Sequence, residues 1–115
     1  MSGVGGLAHW MTVYADVYEA KTGVRLYPGS LNVLLDSPWY VPAVRIRLEP
    51  PECGIGMSIV PCAIGGIDGF ILRTDKNNSG EGDHPATVIE VAASVRLRDV
   101  LGVEDGTEVE VTVPS

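Results

Sequence analysis

Glycine and proline interrupt this chain so often that its apolar segments are all short. The 115 residues include 14 glycines and eight prolines, and both residue types punctuate regular secondary structure. Short apolar runs bounded by turn residues are typical of β-strands joined by tight turns. The pattern predicts six strands, at Leu31–Leu35, Ala43–Leu48, Met57–Ala63, Gly69–Arg73, Thr87–Ala93 and Glu108–Val113.

Two of these segments alternate strictly between apolar and polar residues. Residues 44–48 read Val-Arg-Ile-Arg-Leu, and residues 109–113 read Val-Glu-Val-Thr-Val. A period of two indicates a strand with one buried and one solvated face. We therefore expect Val44, Ile46, Leu48, Val109, Val111 and Val113 to face a common core.

Two short helices complete the predicted elements. One spans Thr12–Lys21, with Thr12 as the capping residue at its start and Gly23 at its end. The second lies near Arg96–Leu101 and ends at Gly102. Six strands with two short helices favour a closed or nearly closed barrel, because closure removes exposed strand edges. The length allows one domain over residues 1–115.

Charge and cysteine content exclude several classes of protein. A formal net charge of −7 opposes binding to nucleic acid, which needs a surplus of Lys and Arg on one face. The chain has no long uncharged apolar run and no signal-like start, so we expect a soluble, cytoplasmic protein without a membrane segment. Cys53 and Cys62 are too few for a disulfide scaffold or a four-ligand zinc site.

The segment Tyr-Pro-Gly-Ser-Leu-Asn-Val at residues 27–33 carries a candidate metal site. Pro28-Gly29 makes a turn that begins a strand, and Ser30 and Asn32, two residues apart, project their oxygens to the same side. Oxygens so arranged can hold a magnesium ion that shares the phosphates of a nucleotide. Polar residues that only cap the turn would give the same pattern.

Residues 88–98, Val-Ile-Glu-Val-Ala-Ala-Ser-Val-Arg-Leu-Arg, form an apolar strand with one acid, followed by a helix start. The acid, Glu90, is costly to bury unless it is paired or binds a ligand, but costs little on a solvated face. The alternation leaves both possibilities open. The polar stretch at residues 77–83 is either a surface loop or a lid over a ligand.

Together, the two segments resemble the archaeal-type CTP-dependent riboflavin kinase family. Residues 27–33 are similar to its Pro-Gly-Thr-Leu-Asn motif, and residues 88–106 to its closing strand, helix and Asp-Gly strand. The resemblance implies a cradle-loop (RIFT-type) barrel that transfers the γ-phosphoryl group of CTP to riboflavin, giving FMN and CDP. No Walker loop, dinucleotide fingerprint or protein-kinase signature is present, so this chemistry would use another architecture.

The resemblance also implies roles for individual residues. Ser30 and Asn32 would hold Mg²⁺, and Glu90 would hydrogen-bond the flavin, with Ser79 the nearest hydroxyl to replace the family's flavin-contacting threonine. The nucleotide would lie against two groups of residues, Val95, Arg96, Leu97 and Arg98, and Val4, Gly5, Gly6, Leu7, Ala8 and His9.

The N-terminal segment departs from the family pattern. The family has a first strand running into Gly-x-Gly-x-Gly-Arg, whereas Leu7 and Ala8 replace the last glycine and the arginine. Leucine limits the approach of backbone to phosphate, and loss of arginine removes a bidentate partner. The absent strand also predicts that a second copy of the chain covers the barrel edge, which would make a homo-oligomer.

Three functions remain open at this point. The first is a riboflavin kinase or a near relative with altered nucleotide choice. The second is a non-catalytic barrel that binds a flavin or nucleotide, which the altered glycine loop favours. The third is a swapped-hairpin DNA-binding protein, because residues 97–106 share that family's Leu-Arg-x-x-Leu-Gly-x-x-x-Gly pattern, although the acidic charge argues against it.

Overall fold

The computed structural model describes residues 11–28, 30–42, 45–48, 56–75, 87–103 and 108–113. Two helices and six strands lie wholly within these residues, and residues 11–13 are also helical. The helices are α1 (Ala15–Thr22) and α2 (Leu97–Leu101), and the strands are β1 (Leu31–Leu34), β2 (Ile46–Leu48), β3 (Met57–Ile64), β4 (Ile67–Thr74), β5 (Val88–Ala92) and β6 (Val111–Thr112).

All six strands belong to one antiparallel sheet, which curls into a half-barrel. The strand order is β1-β5-β4-β3-β2, and β6 pairs with β3 beyond the end of β2. The predicted strand-rich fold with six strands and two short helices is confirmed. The expectation of a covering second copy concerns the N-terminal edge, and residues 1–10 lie outside the described part.

The longest pairing in the sheet is the hairpin of β3 and β4, which runs from Met57↔Thr74 to Ile64↔Ile67. Gly65 and Gly66 connect the strands with φ of 55° and 82°. Two consecutive positive φ values define the turn that matches the twist of a two-residue hairpin, and glycine adopts them without steric cost.

Pro61 lies in the middle of β3 without breaking the sheet. The hairpin register directs the backbone nitrogen of Pro61 away from β4, toward the side where β2 and β6 pair with β3. On that side β2 reaches only to Ile59 and β6 begins only at Ala63. The missing N–H of proline therefore falls in the gap between the described ends of β2 and β6, where no described residue pairs with it.

Each face of the sheet carries its own apolar cluster, because alternate residues of a strand point to opposite sides. On one face, α2 packs through Leu97 against a cluster that includes Val60, Ile71 and Val91. On the other face, Tyr18 of α1 is 1% exposed and packs with Leu48, Met57, Ile59, Leu72 and Ala92. The sheet is thus the middle layer of the fold.

The start of the first helix differs from the prediction. Helix α1 begins at Ala15 with Tyr14 as its N-cap residue, and Thr12 lies within the preceding helical residues 11–13 rather than at a cap. The prediction of Thr12 as the cap is therefore wrong. The predicted C-cap is confirmed, because Gly23 has φ of 78° and its N–H donates to the carbonyl of Glu19 at 2.8 Å.

Two strand boundaries also differ. The described part of β2 starts at Ile46, while residues 43 and 44 are outside the described residues. Strand β6 covers only Val111–Thr112. Val109, Val111 and Val113 pack against the first apolar cluster, whereas Ile46 and Leu48 pack in the second. The prediction that these residues face a common core is therefore wrong, because β2 and the segment around β6 bury their apolar residues on opposite faces of the sheet; Val44 lies outside the described residues. No helix in the described ranges is long and apolar enough to span a membrane.

Cys62 is buried in the first cluster, and burial raises the pKa of its thiol to about 11. The thiolate is the reactive form of cysteine. Cys62 therefore behaves as an apolar core residue and is unsuited to nucleophilic catalysis.

An ion pair between Arg47 and Asp75 links β2 to the end of β4. Arg47 Nη1 and Nη2 donate to the Asp75 carboxylate at 2.6 and 3.1 Å, and Arg47 Nη1 also donates to Ser58 Oγ at 3.1 Å. The hydrogen bond from Arg47 holds the pKa of Asp75 below its usual value, aided by the charges of Arg47 and Arg45 and opposed by partial burial.

We expect Asp75→Asn to destabilise the protein at neutral pH by at most about 1 kcal/mol, since the pair is largely exposed. A lowered folded-state pKa gives stability that is present above the unfolded pKa, about 3.9, and is lost as pH falls through the folded value. Urea midpoints of the variant and the unmodified protein should therefore differ at pH 7 and converge in acid. A difference that stays constant down to pH ~2.5 would contradict this account.

Candidate functional site

The two segments singled out in the sequence are neighbours in the sheet. Strands β1 and β5 pair antiparallel, with Leu31 opposite Val91 and Asn32 opposite Glu90. Tyr27 N–H donates to the carbonyl of Ala93 at 2.8 Å, which continues the pairing beyond the strands. The turn before β1 therefore lies beside the end of β5 that leads into residues 94–98.

Ser30, Asn32 and Glu90 form what we call the β1–β5 polar site. Asn32 is the direct cross-strand partner of Glu90, and directly opposed residues share a face of the sheet. Ser30, two residues before Asn32, donates its hydroxyl to Glu90 Oε1 at 3.3 Å. The fold thus brings together one hydroxyl, one amide and one carboxylate that are up to 60 residues apart in the chain.

Glu90 is buried, with 7% of its surface exposed. Its neighbours across the sheet are Asn32 on β1 and Leu72 on β4. This settles the alternative that the alternation had left open, because the carboxylate is not on a solvated face. A buried carboxylate needs hydrogen bonds or an opposite charge to offset its desolvation, and the Ser30 hydroxyl supplies one such bond.

The side-chain oxygen of Asn32 is buried, and no described residue donates a hydrogen bond to it. A buried amide oxygen without a donor costs about 1–3 kcal/mol. Such an atom is suited to a ligand that arrives from outside the chain, either a hydrogen-bond donor or a cation.

The donor set of this site is compatible with Mg²⁺. Hydroxyl, amide and carboxylate oxygens are hard ligands, and Mg²⁺ keeps several waters while it shares substrate phosphates. Among the described residues there is no group of three His, Cys, Asp or Glu side chains that could hold a metal by itself. A cation here would be held by Ser30 Oγ and Asn32 Oδ1 together with oxygens of the nucleotide.

Residues 95–98 lie at the start of α2, after β5, and differ in what they can offer a ligand. Val95 is 37% exposed, and Arg96 is exposed and forms an ion pair with Asp99 at 3.5 Å. Leu97 is only 4% exposed and packs in the first apolar cluster. Arg98 is half-buried, and its carbonyl accepts the N–H groups of Gly102 and Val103. Leu97 could therefore contact a nucleotide only through its backbone.

The remaining predicted ligand residues, Val4 through His9 and Ser79, lie outside the described residues.

Arg73 is a buried charge that the sequence reading did not single out. It is 3% exposed, and its Nη1 donates to the carbonyl of Val88 at 2.7 Å. Burial lowers the pKa of Arg73, and the charges of Glu90 and Tyr40 raise it. In the sequence, an arginine at the end of an apolar strand resembles a surface charge. Only the pairing of β4 with β5 reveals its position.

Comparison with known proteins gives a match over nearly the whole chain. A family model designated CTP-dep_RFKase, described as domain of unknown function DUF120, matches residues 1–113. A protein named riboflavin kinase from Pyrobaculum aerophilum is 32% identical over 126 residues, covering 98% of this chain and 57% of that protein. One of the same name from Methanocella arvoryzae is 32% identical over 122 residues, covering 98% of this chain and 54% of that protein.

The relatives differ in length. The chain spans about half the length of the two relatives above. A riboflavin kinase from Staphylothermus marinus is 24% identical over 117 residues, and there the match covers 86% of the relative. The shared part therefore forms most of a relative in one case and about half in the others.

Proposed function

The chain belongs to the CTP-dependent riboflavin kinase family, and on that premise we propose that it transfers the γ-phosphoryl group of CTP to riboflavin, giving FMN and CDP. The proposed small-molecule partners are CTP and riboflavin, with Mg²⁺ as the metal. Because the cytoplasm supplies nucleoside triphosphates, we propose that the protein acts there. The archaeal relatives named riboflavin kinase support this activity.

The observation that carries the proposal is the β1–β5 polar site. The two residues proposed for the metal, Ser30 and Asn32, adjoin Glu90, the residue proposed for the flavin. Phosphoryl transfer requires the attacking hydroxyl and the phosphate to meet in line, so donor and acceptor sites must be adjacent. The pairing of β1 with β5 brings Ser30, Asn32 and Glu90 together, which supports adjacent sites for the two substrates.

Each residue of the site has a distinct proposed task. The orphaned Asn32 Oδ1 and the Ser30 hydroxyl would hold the magnesium–nucleotide complex, and Mg²⁺ would neutralise charge on the phosphates. The Glu90 carboxylate would accept a hydrogen bond from riboflavin and fix its orientation. Val95, Arg96 and Arg98, with the backbone of Leu97, would line the nucleotide site.

In this arrangement the protein contributes mainly by positioning. Well-oriented reactants gain several kcal/mol relative to free reactants, about 7–11 kcal/mol in favourable cases. The loose transition state of phosphoryl transfer makes little demand on a strong general base. The sparse set of ionisable groups at the β1–β5 polar site is consistent with this mode of catalysis.

A thermal-shift matrix tests the proposal directly. The unmodified protein is heated with CTP, ATP, riboflavin or FMN, each with and without Mg²⁺. A ligand that binds only the folded state raises the unfolding temperature. At a ligand concentration of a hundred times Kd, the free energy of unfolding rises by about 2.7 kcal/mol. We expect riboflavin to stabilise the protein, and CTP to do so only with Mg²⁺. Stabilisation by neither CTP nor riboflavin would contradict the proposed function.

A further inference from the structure

Arg73 is the buried charge whose role the proposed reaction leaves unexplained. Its side chain extends from β4 and is 3% exposed. A buried guanidinium is costly unless hydrogen bonds and opposite charge compensate its desolvation. Arg73 therefore carries a desolvation cost that an apolar residue at this position would not have.

The location of Arg73 is where β4 and β5 separate. Their pairing runs from Phe70↔Ala92 to Leu72↔Glu90 and ends there. In this register the next two pairs would be Arg73 with Ile89 and Thr74 with Val88, but beyond Leu72↔Glu90 it is the side chain of Arg73 that reaches β5, where its Nη1 donates to the carbonyl of Val88 at 2.7 Å. The arginine side chain thus replaces a ladder hydrogen bond two residues before Glu90.

Arg73 and Glu90 lie on the adjacent strands β4 and β5. Alternation assigns the two residues to opposite faces, since Glu90 is opposite Leu72 and Arg73 is opposite Ser58. Even so, the negative charge of Glu90 raises the pKa of Arg73, against the lowering effect of burial. The guanidinium between the separating strands is therefore within electrostatic range of Glu90.

A second arginine provides a contrast. Arg47 pairs with Asp75 and Ser58 at the end of β2, and its side chain is 30% exposed. Arg47 on β2 and Arg73 on β4 lie on the two strands that flank β3, and Ser58 of β3 is the cross-strand partner of both. Arg47 contacts Ser58 on β3 and Asp75 just after β4, whereas Arg73 reaches β5, the strand that carries Glu90.

We propose that Arg73 is a positioning residue for the flavin site: its hydrogen bond to the Val88 carbonyl fixes β5 two residues before Glu90. The inference rests on the proposed function for the identity of the ligand. It adds a residue that touches neither substrate nor metal but determines where Glu90 lies. The consequence is that removal of Arg73 weakens riboflavin binding while the nucleotide site stays intact.

The test compares Arg73→Met, Arg73→Lys and the matched control Arg47→Met. Riboflavin affinity is measured by quenching of flavin fluorescence, Mg²⁺–CTP affinity by calorimetry, and stability by urea unfolding. We expect Arg73→Met to weaken riboflavin binding by about tenfold or more, as for loss of a charge-assisted interaction. Arg73→Lys should recover part of that affinity because it keeps the charge. Arg47→Met should lower the urea midpoint and leave riboflavin affinity unchanged.

Equal effects of Arg73→Met and Arg47→Met on riboflavin affinity would overturn the proposal, because both would then act through general stability. So would a parallel loss of Mg²⁺–CTP affinity in Arg73→Met.

A double-mutant cycle separates failure of this inference from failure of the proposed function. Urea midpoints are measured for Arg73→Met, Glu90→Gln and the double variant, without any ligand. Non-additive effects would establish the interaction of Arg73 with Glu90, even if the unmodified protein bound no riboflavin. Additive effects would refute it. If Arg73→Met does not fold, the same cycle is run with Arg73→Gln, which also removes the charge.

Discussion

Asn32→Ala is expected to eliminate most Mg²⁺-dependent nucleotide binding while the protein remains folded. The Asn32 side-chain oxygen is buried and accepts no hydrogen bond from the described residues, so its removal breaks no described contact. A polar interaction with a charged group contributes about 1.5–3 kcal/mol to the binding free energy. Loss of the Asn32 oxygen should therefore lower the affinity for Mg²⁺–CTP by about tenfold to hundredfold. Calorimetric titration of CTP with Mg²⁺ measures the loss, and urea unfolding monitors stability.

Asn32→Asp is the matched variant for this position. A carboxylate is also a good Mg²⁺ ligand, so binding should largely return. Without metal, however, the new carboxylate would lie opposite Glu90 in the β1–β5 pair, and like charges directly opposed are destabilising. We expect Mg²⁺ to raise the urea midpoint of Asn32→Asp more than that of the unmodified protein.

If Asn32→Ala bound Mg²⁺–CTP normally, Asn32 would be a structural residue and the metal assignment would be wrong.

Glu90→Gln is expected to produce the opposite pattern, with riboflavin binding weakened and nucleotide binding spared. The substitution keeps an oxygen that can accept the Ser30 hydroxyl, now at 3.3 Å from Glu90 Oε1, so the local fold should persist. Loss of the negative charge removes a charge-assisted hydrogen bond to the flavin, worth about 1.5–3 kcal/mol. Flavin fluorescence quenching should therefore show affinity lower by about tenfold to hundredfold.

Glu110→Gln serves as the control for charge alone. The Glu110 side chain is exposed, and its described contact is a backbone carbonyl that accepts the N–H of Gly65. The substitution changes net charge by the same amount as Glu90→Gln but leaves that carbonyl in place. Equal riboflavin affinity in the two variants would show that Glu90 has no specific role.

The strands were predictable because they depend on local sequence features, namely short apolar or alternating runs bounded by turn residues. The runs Met57–Ala63 and Thr87–Ala93 correspond to β3 and β5 within one residue at each end. The juxtaposition of Ser30 and Asn32 followed from the period of two in a strand. The motif similarity then predicted that β1 and β5 contribute to one site.

Other features depend on which strands are neighbours, and no local pattern encodes that. The burial of Glu90 requires that β1 and β4 pair on its two sides. Leu97 lies between Arg96 and Arg98 in the sequence and resembles a ligand contact, yet its side chain packs in the core because α2 covers that face of the sheet. Arg73 is recognisable only from the point at which β4 and β5 separate.

A single-turnover or steady-state assay with riboflavin, CTP and Mg²⁺ tests the central claim most directly, with FMN and CDP separated by chromatography. The account predicts equal amounts of FMN and CDP from the unmodified protein, a strong dependence on Mg²⁺, and little product from Asn32→Ala. Asp75→Asn should remain active, because Asp75 pairs with Arg47 at the far side of the sheet from β1. If the folded, unmodified protein formed no FMN with CTP or any other nucleoside triphosphate, although it bound riboflavin, the kinase assignment would be contradicted in favour of a ligand-binding barrel.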